Sequence, residues 1–265
     1  MVSRPVHFQE ENMGPLFNDE RSNFNPLISS DGKSFAFMVG LKFYNAVMLT
    51  SLSGNRWSPP INITPEIELD GTIFISCLSA GGHTLLLSKN DNFESDIYTS
   101  SFNGTRWLPA TLLNKNINTR YWESHAFMAE DGNTLIFASD RPGGFGGLDL
   151  YVSKKINGDW GTAVNMGPEV NTPFNEDRPF LINGGKTLFF CSQGHHNMGG
   201  YDIFRTELQT NGLWSVPGNL GYPVNTPDDD TFFMPEDNGR SGYMARSRGT
   251  SENYGKEDIY KITFR

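Results

Sequence analysis

Residues Asp131–Ser153, DGNTLIFASDRPGGFGGLDLYVS, decide the fold. They read as an Asp-Gly turn, an apolar strand, a glycine-rich loop and a second strand. A second copy stands at Gly184–Thr206, GGKTLFFCSQGHHNMGGYDIFRT, and looser copies lie on either side. Recurrence at this length marks a repeat architecture.

Three markers set the period. Trp57, Trp107, Trp160 and Trp214 follow one another at intervals of 50, 53 and 54 residues, each after an Asx-Gly pair or near equivalent. An acidic-apolar-aromatic triplet recurs at Asp96-Ile97-Tyr98, Asp149-Leu150-Tyr151, Asp202-Ile203-Phe204 and Asp258-Ile259-Tyr260. Tight turns recur at Asp31-Gly32, Gly81-Gly82, Asp131-Gly132, Gly184-Gly185 and Asn238-Gly239. Five units result, the first of them degenerate, with Asn45 in place of the triplet Asp.

Each unit holds four strand-sized apolar segments, which in the fourth unit are Pro179–Ile182, Thr187–Cys191, Asp202–Thr206 and Trp214–Asn219. Four antiparallel strands per unit in series describe an all-β, five-bladed β-propeller. One domain spans 1–265, with blades at about 24–70, 71–122, 123–175, 176–229 and 230–265. The last unit stops after its third strand. Asn12-Met13-Gly14-Pro15 matches Asn165-Met166-Gly167-Pro168 at the exit of a fourth strand, so residues 5–12 are expected to close the last blade. Such a clasp leaves no open edge at the seam.

Composition agrees with short strands and tight turns: 20 Phe, 9 Tyr, 5 Trp and 28 Gly among 265 residues. A net charge of −9 argues against a nucleic-acid backbone or an anionic membrane surface as partner. No apolar run reaches the 18 or more residues of a membrane span, so direct membrane insertion is not expected. The opening MVSRPVHFQEEN lacks the apolar core of a signal peptide, which leaves a cytoplasmic protein or a domain of a longer secreted precursor. Cys77 and Cys191, in unrelated repeat positions, are expected to be buried free thiols.

Strand alternation sorts the loops onto two faces. The short Asx-Gly turns occupy one, as tight hairpins require. The other receives the long loops at 140–147, 193–200 and 248–257 and the connections between blades, such as 118–124 and 171–177. Binding residues concentrate on loops held by a rigid scaffold, so a site belongs on this second face at the mouth of the central channel.

The repeats resemble the WD40-like (PD40) units of TolB-type propellers, carried here by Ser29-Ser30-Asp31-Gly32-Lys33 and by Asp131–Ser139. The longer signature, RPGGFGGLDLYVS followed by GDWGTAVNMGPEVNT, is similar to propellers of OmpA-family envelope proteins, including the PorE-type component of type IX secretion. That resemblance covers essentially the whole chain, most strongly residues 124–230. It implies a periplasmic, outer-membrane-associated module that binds protein, possessing no catalytic residues. Peptidoglycan would be reached only through an OmpA-like domain that these residues do not include.

Glu123, Glu176 and Asp230 share one repeat position, before the innermost strands of blades 3, 4 and 5. Carboxylates there suit a shared turn-capping task, a ring for a cation or polar ligand, or the acid-base pair of a glycosidase; recurrence at a single position favours the first. The triplet aspartates are placed to accept backbone N–H bonds and close the loop before them. The glycine pairs at 143–147 and 199–200 precede strands, whereas a phosphate cradle opens a helix. His195-His196 lacks the further ligands that zinc requires, and Asp228–Asp230 and residues 91–94 lack EF-hand spacing. No metal and no cofactor is therefore expected. Tyr121-Trp122 breaks the repeat on the long-loop face, and with Arg141, Phe145, Arg178 and His195 forms the expected recognition surface for a protein partner. The competing reading is a carbohydrate-binding or glycoside-processing propeller that uses the acidic mouth.

Overall fold

The computed structural model describes residues 6–70, 72–91, 94–247 and 254–265. Five antiparallel sheets stand around a central channel. Their innermost strands are Asn23–Ile28, Thr72–Leu78, Glu123–Met128, Glu176–Ile182 and Phe233–Glu236. The second strands, such as Thr134–Ser139 and Thr187–Ser192, are flanked by neighbouring blades on both faces and are almost wholly buried. That is why they read as continuous apolar runs, not as alternating patterns.

The outermost strands are shorter than the sequence suggests. Blade 4 keeps only Gly218–Asn219, with an isolated bridge between Leu208 and Trp214. Pro217 precedes that strand, and Pro59-Pro60 and Pro109 hold comparable places in blades 1 and 2. Proline cannot donate to a ladder, so the fourth strand breaks into a tryptophan hairpin and a two-residue strand.

The clasp is present as expected. Phe8–Asn12 pairs antiparallel with Asp258–Phe264, from Phe8 opposite Phe264 to Asn12 opposite Tyr260. Asn12 repeats the chemistry of its counterparts: its Nδ2 donates to Asp258 at 2.8 Å, as Asn165 does to Asp149 and Asn219 to Asp202, both at 2.7 Å. Each of these asparagines then caps the glycine two residues on. Phe35 of blade 1 meets Tyr243 of blade 5 edge to face at 5.1 Å and seals the seam. Pro5 and most of the expected loop at 248–257 lie outside the described residues.

Phe127 and Phe180, from two innermost strands, and Phe232, just before a third, pack edge to face at 5.6 and 5.2 Å. Phe127 lines a cavity of about 360 Å³ on the short-turn side, and Phe232 one of about 560 Å³ on the long-loop side. Cys77 and Cys191 are buried and free; burial pushes the Cys77 thiol up to about 12. No helix among the described residues is long and apolar enough to cross a membrane.

Candidate functional site on the long-loop face

The long loops are held by a repeated set of carboxylates. Asp149 accepts from the backbone N–H groups of Phe145 and Gly146 at 2.6 and 3.1 Å. Asp258 does the same for Tyr254 and Gly255, at 2.7 and 3.0 Å. Each aspartate thereby fixes the tip of the loop in front of its strand.

Glu123 and Glu176 prove to be a second set of caps. Both are 0% exposed. Glu176 accepts from Thr172 N and Oγ1 at 2.7 Å and from Ser192 Oγ at 2.6 Å. Glu123 accepts from Thr119 N and Oγ1 at 2.8 Å, from Ser139 Oγ at 2.7 Å and from the Arg141 guanidinium at 3.2 Å. Asp230 is tied to Thr226 in the same way. Burial raises the Glu176 and Asp230 carboxyls, and the donated hydrogen bonds oppose it. Glu123 and Glu176 are thus the turn caps that their shared repeat position favoured, and not ligands of the channel mouth: their oxygens fold back onto the Thr four residues earlier. Asp230 alone of the three lines the long-loop cavity.

The other expected recognition residues separate. Arg141 is a structural pin, bonded to Ser139, Glu123 and the carbonyls of Asn116 and Ile117, with its guanidinium over Phe137 and Tyr151. His195 hydrogen-bonds through Nε2 with Val170 O at 2.8 Å and packs on Phe190 and Phe204. Tyr121 and Trp122 are half-buried, the first under Arg120, the second donating its backbone N–H to the Asp140 carboxylate and accepting from the Asp140 backbone N–H. Phe145 is open, at 48% exposure. Arg178 lies in the channel, away from that rim.

Two residues that sequence reasoning passed over stand beside Arg178. Four of the innermost strands carry a bulge, and Arg178 sits in one of them at φ 51. Its Nε donates to His125 Nε2 at 3.4 Å, and its Nη1 to Thr231 O at 3.0 Å. His125 Nδ1 in turn lies 3.1 Å from Asp177 Oδ2, and Ser124 Oγ donates to Asp177 Oδ1 at 2.7 Å. Burial pushes the His125 imidazole down; the Asp177 carboxylate opposes this, while the Arg178 charge adds to it. The His125–Asp177 contact is therefore a hydrogen bond from a neutral ring whose proton sits on Nδ1, leaving Nε2 to accept from Arg178. Burial alone would raise the Asp177 carboxyl, but His125, Arg178 and Ser124 together hold it at about 2. The signal for these residues was a departure from the repeat: equivalent strand starts read Phe24-Asn25, Phe74-Ile75 and Thr231-Phe232.

A second feature also escaped. The exposed aromatic residues among the described ones are Phe43, Tyr44, Phe145, Phe174, Tyr222 and Tyr254. All six stand in strand two-to-three loops or blade connections, on the long-loop face. Of the exposed large aliphatics, Ile61, Leu112, Ile156 and Val164 belong to the outer strands and hairpins.

No family model matches the chain, and no curated protein does. Among solved structures, a putative TolB from Agrobacterium tumefaciens is similar at a TM-score of 0.57 and 15% identity, with 97% of each chain covered. TolB from Acinetobacter baumannii is similar at 0.56 and 16% identity; the match covers 92% of this chain and 54% of that one, so this chain spans about half its length. The catalytic domain of a Coprinopsis cinerea GH62 α-L-arabinofuranosidase is similar at 0.54 and 11% identity, with 98% of each chain covered. These likenesses show the β-propeller fold, shared with TolB and with a glycoside hydrolase domain; the five blades are the five sheets described above.

Proposed function

We propose that this TolB-like propeller is a non-enzymatic scaffold that binds a protein partner through its long-loop face. The reading places it in the periplasm, associated with the outer membrane, as part of an OmpA-family envelope protein in secretion or envelope assembly. The observation that carries partner binding is the segregation of exposed aromatics: all six stand on one face, and the loops of Phe145 and Tyr254 are fixed by the buried Asp149 and Asp258. Rigid aromatic anchors supply contact area at low entropic cost and dominate interface energetics. The compartment and the envelope context rest on the sequence signature of residues 124–230.

A photoreactive residue placed at Phe174 in cells of the native host is expected to crosslink to a discrete protein, whereas one at Ile156 on the outer hairpin is not. Equal labelling from both positions would sink the reading. Phe145→Ser with Phe174→Ser is expected to weaken that association by about 2 kcal/mol or more while leaving the fold intact.

The carbohydrate reading retains one supporting observation: Tyr222, Asp228 and Asp230 line the same cavity. It loses Glu123 and Glu176, which no sugar can reach. An oligosaccharide panel assayed for both binding and turnover decides it; silence across the panel removes this alternative.

A further inference from the structure

We propose that the cavity at the centre of the long-loop face is a carboxylate-binding site in which Arg178 is the receiving group. A carboxylate with a positively charged neighbour suits it best. The inference deepens the partner reading and rests on it, because the carboxylate would belong to the partner's chain.

The first support is backbone geometry. Arg178 holds a left-handed conformation, φ 51, immediately before Pro179. An arginine is rarely found there, and a residue preceding proline prefers extended backbone. Such conformations persist where the surroundings enforce them, and they cluster at sites of function. Here the bulge turns a strand residue so that its guanidinium lines the channel cavity.

The second is the hydrogen-bond inventory. A guanidinium carries five N–H donors. Arg178 uses one on His125 and one on Thr231 O, and meets no carboxylate within salt-bridge distance among the described residues. Arg141, by contrast, is bonded to Glu123 and two carbonyls. The adjacent Asp177 is occupied by Ser124, His125 and the backbone N–H of Arg178 itself. Donors on the Nη atoms therefore remain for a ligand, in the fork geometry that matches a carboxylate.

The third is the distribution of charge along the cavity. Arg178 lies two residues inside the innermost strand of blade 4; the other cation of the lining, Arg246, is held by Glu10 and the Pro223 carbonyl, and Asp228, Asp229, Asp230 and Glu257 line the cavity from loop positions. Asp228 is exposed, and its carboxylate has no bonded partner among the described residues. Asp229 and Asp230 accept from Tyr201 N and Thr226 instead. Positive charge inside and negative charge at the rim complement a carboxylate that enters first with an ammonium or guanidinium behind it. A volume of about 560 Å³ holds one or two residues of a peptide.

Two sources offer that chemistry: the free C-terminus of a chain with a basic last residue, or an internal Glu beside Lys. Calorimetry on the full chain with three peptides separates them: acetyl-Gly-Gly-Lys with a free terminus, its C-terminal amide, and doubly capped acetyl-Gly-Glu-Lys-Gly-amide. At least one carboxylate-bearing peptide is expected to bind more tightly than the amide, and which one names the source. Arg178→Gln should weaken that binding roughly ten- to a hundredfold, and Arg178→Lys should also weaken it, because an ammonium lacks the fork. Should Arg178→Gln fail to fold, as judged by its melt, the Lys variant decides. Carboxylate peptides that bind no better than the amide, or affinity unchanged in the folded Arg178 variants, would overturn the proposal. Rim crosslinks at Phe174 that persist while both carboxylate peptides fail bring down this inference alone. Arg178-dependent peptide binding without rim crosslinks brings down the partner reading and leaves the site.

Discussion

The Ser124–His125–Asp177–Arg178 group makes a measurable claim about acid. His125 has a folded-state pKa below its ordinary 6.5, so between those values the unfolded chain binds more protons and stability falls as pH falls. Asp177 is held at about 2 against 3.8, so its contribution is complete above 3.8 and is lost as pH drops toward 2. Chemical denaturation across pH, wild type minus His125→Gln, should show the first loss beginning near 6.5. A flat difference down to pH 4 would contradict a neutral buried imidazole. The capping glutamates make a second claim. Glu176→Ala strands a backbone N–H and two hydroxyls, and should cost about 3 kcal/mol. Glu123→Ala also removes the carboxylate partner of Arg141, and should cost more, about 4 kcal/mol. Urea melts of the two variants give the order. The role of Glu123, Glu176 and Asp230 was legible because the same short-range chemistry, Thr four residues before the acid, is written three times. The His125–Asp177 pair was not, because its members come from adjacent blades and touch only after the ring has formed.

At the scale of the loop, the paired glycines acquire a reason unrelated to phosphate. A Cβ at Gly146 would run into the carbonyls of Phe174 and Thr172, and one at Gly199 into Pro227 of the next connection. Neither glycine has a positive φ, so close approach, and not backbone freedom, demands the residue. Gly146→Ala should therefore lower stability by about 2 kcal/mol through overpacking. Gly143, at φ +93 in open space, should cost about 1 kcal/mol on the same change, from backbone strain alone. Thermal melts of the two separate the mechanisms, and a reversed order would mean that the loop relaxes away from Phe174. The sequence showed where these glycines sit but not what they face, since the opposing carbonyls lie in another connection. The outer strands were overread for a related reason: tryptophan and valine suggested a continuous strand that Pro217 interrupts.

At the scale of the molecule, the ring is closed by five residues, Phe8–Asn12, held through their ladder, the Asn12–Asp258 bond and the Phe8–Phe264 contact at 6.4 Å. Deleting residues 1–13 uncovers one edge of Asp258–Phe264 and should lower the melting temperature by roughly 10 °C or more. An unchanged melt would mean that the ring holds without its clasp. This closure was readable because Asn12-Met13-Gly14-Pro15 is a displaced copy of a motif whose place in a blade was known from residues 165–168.

The register of that clasp also sets how the ring responds to force. Phe8 lies opposite Phe264, and the backbone N–H of Arg265 donates to His7 O at 3.0 Å, so the chain enters and leaves the closing ladder at the same end. Tension between residues 6 and 265 therefore falls on one rung at a time, as in opening a zip, and never shears the ladder as a whole. A propeller tethered by its two ends would open at low load and re-close when slack, a mechanical fuse located in blade 5.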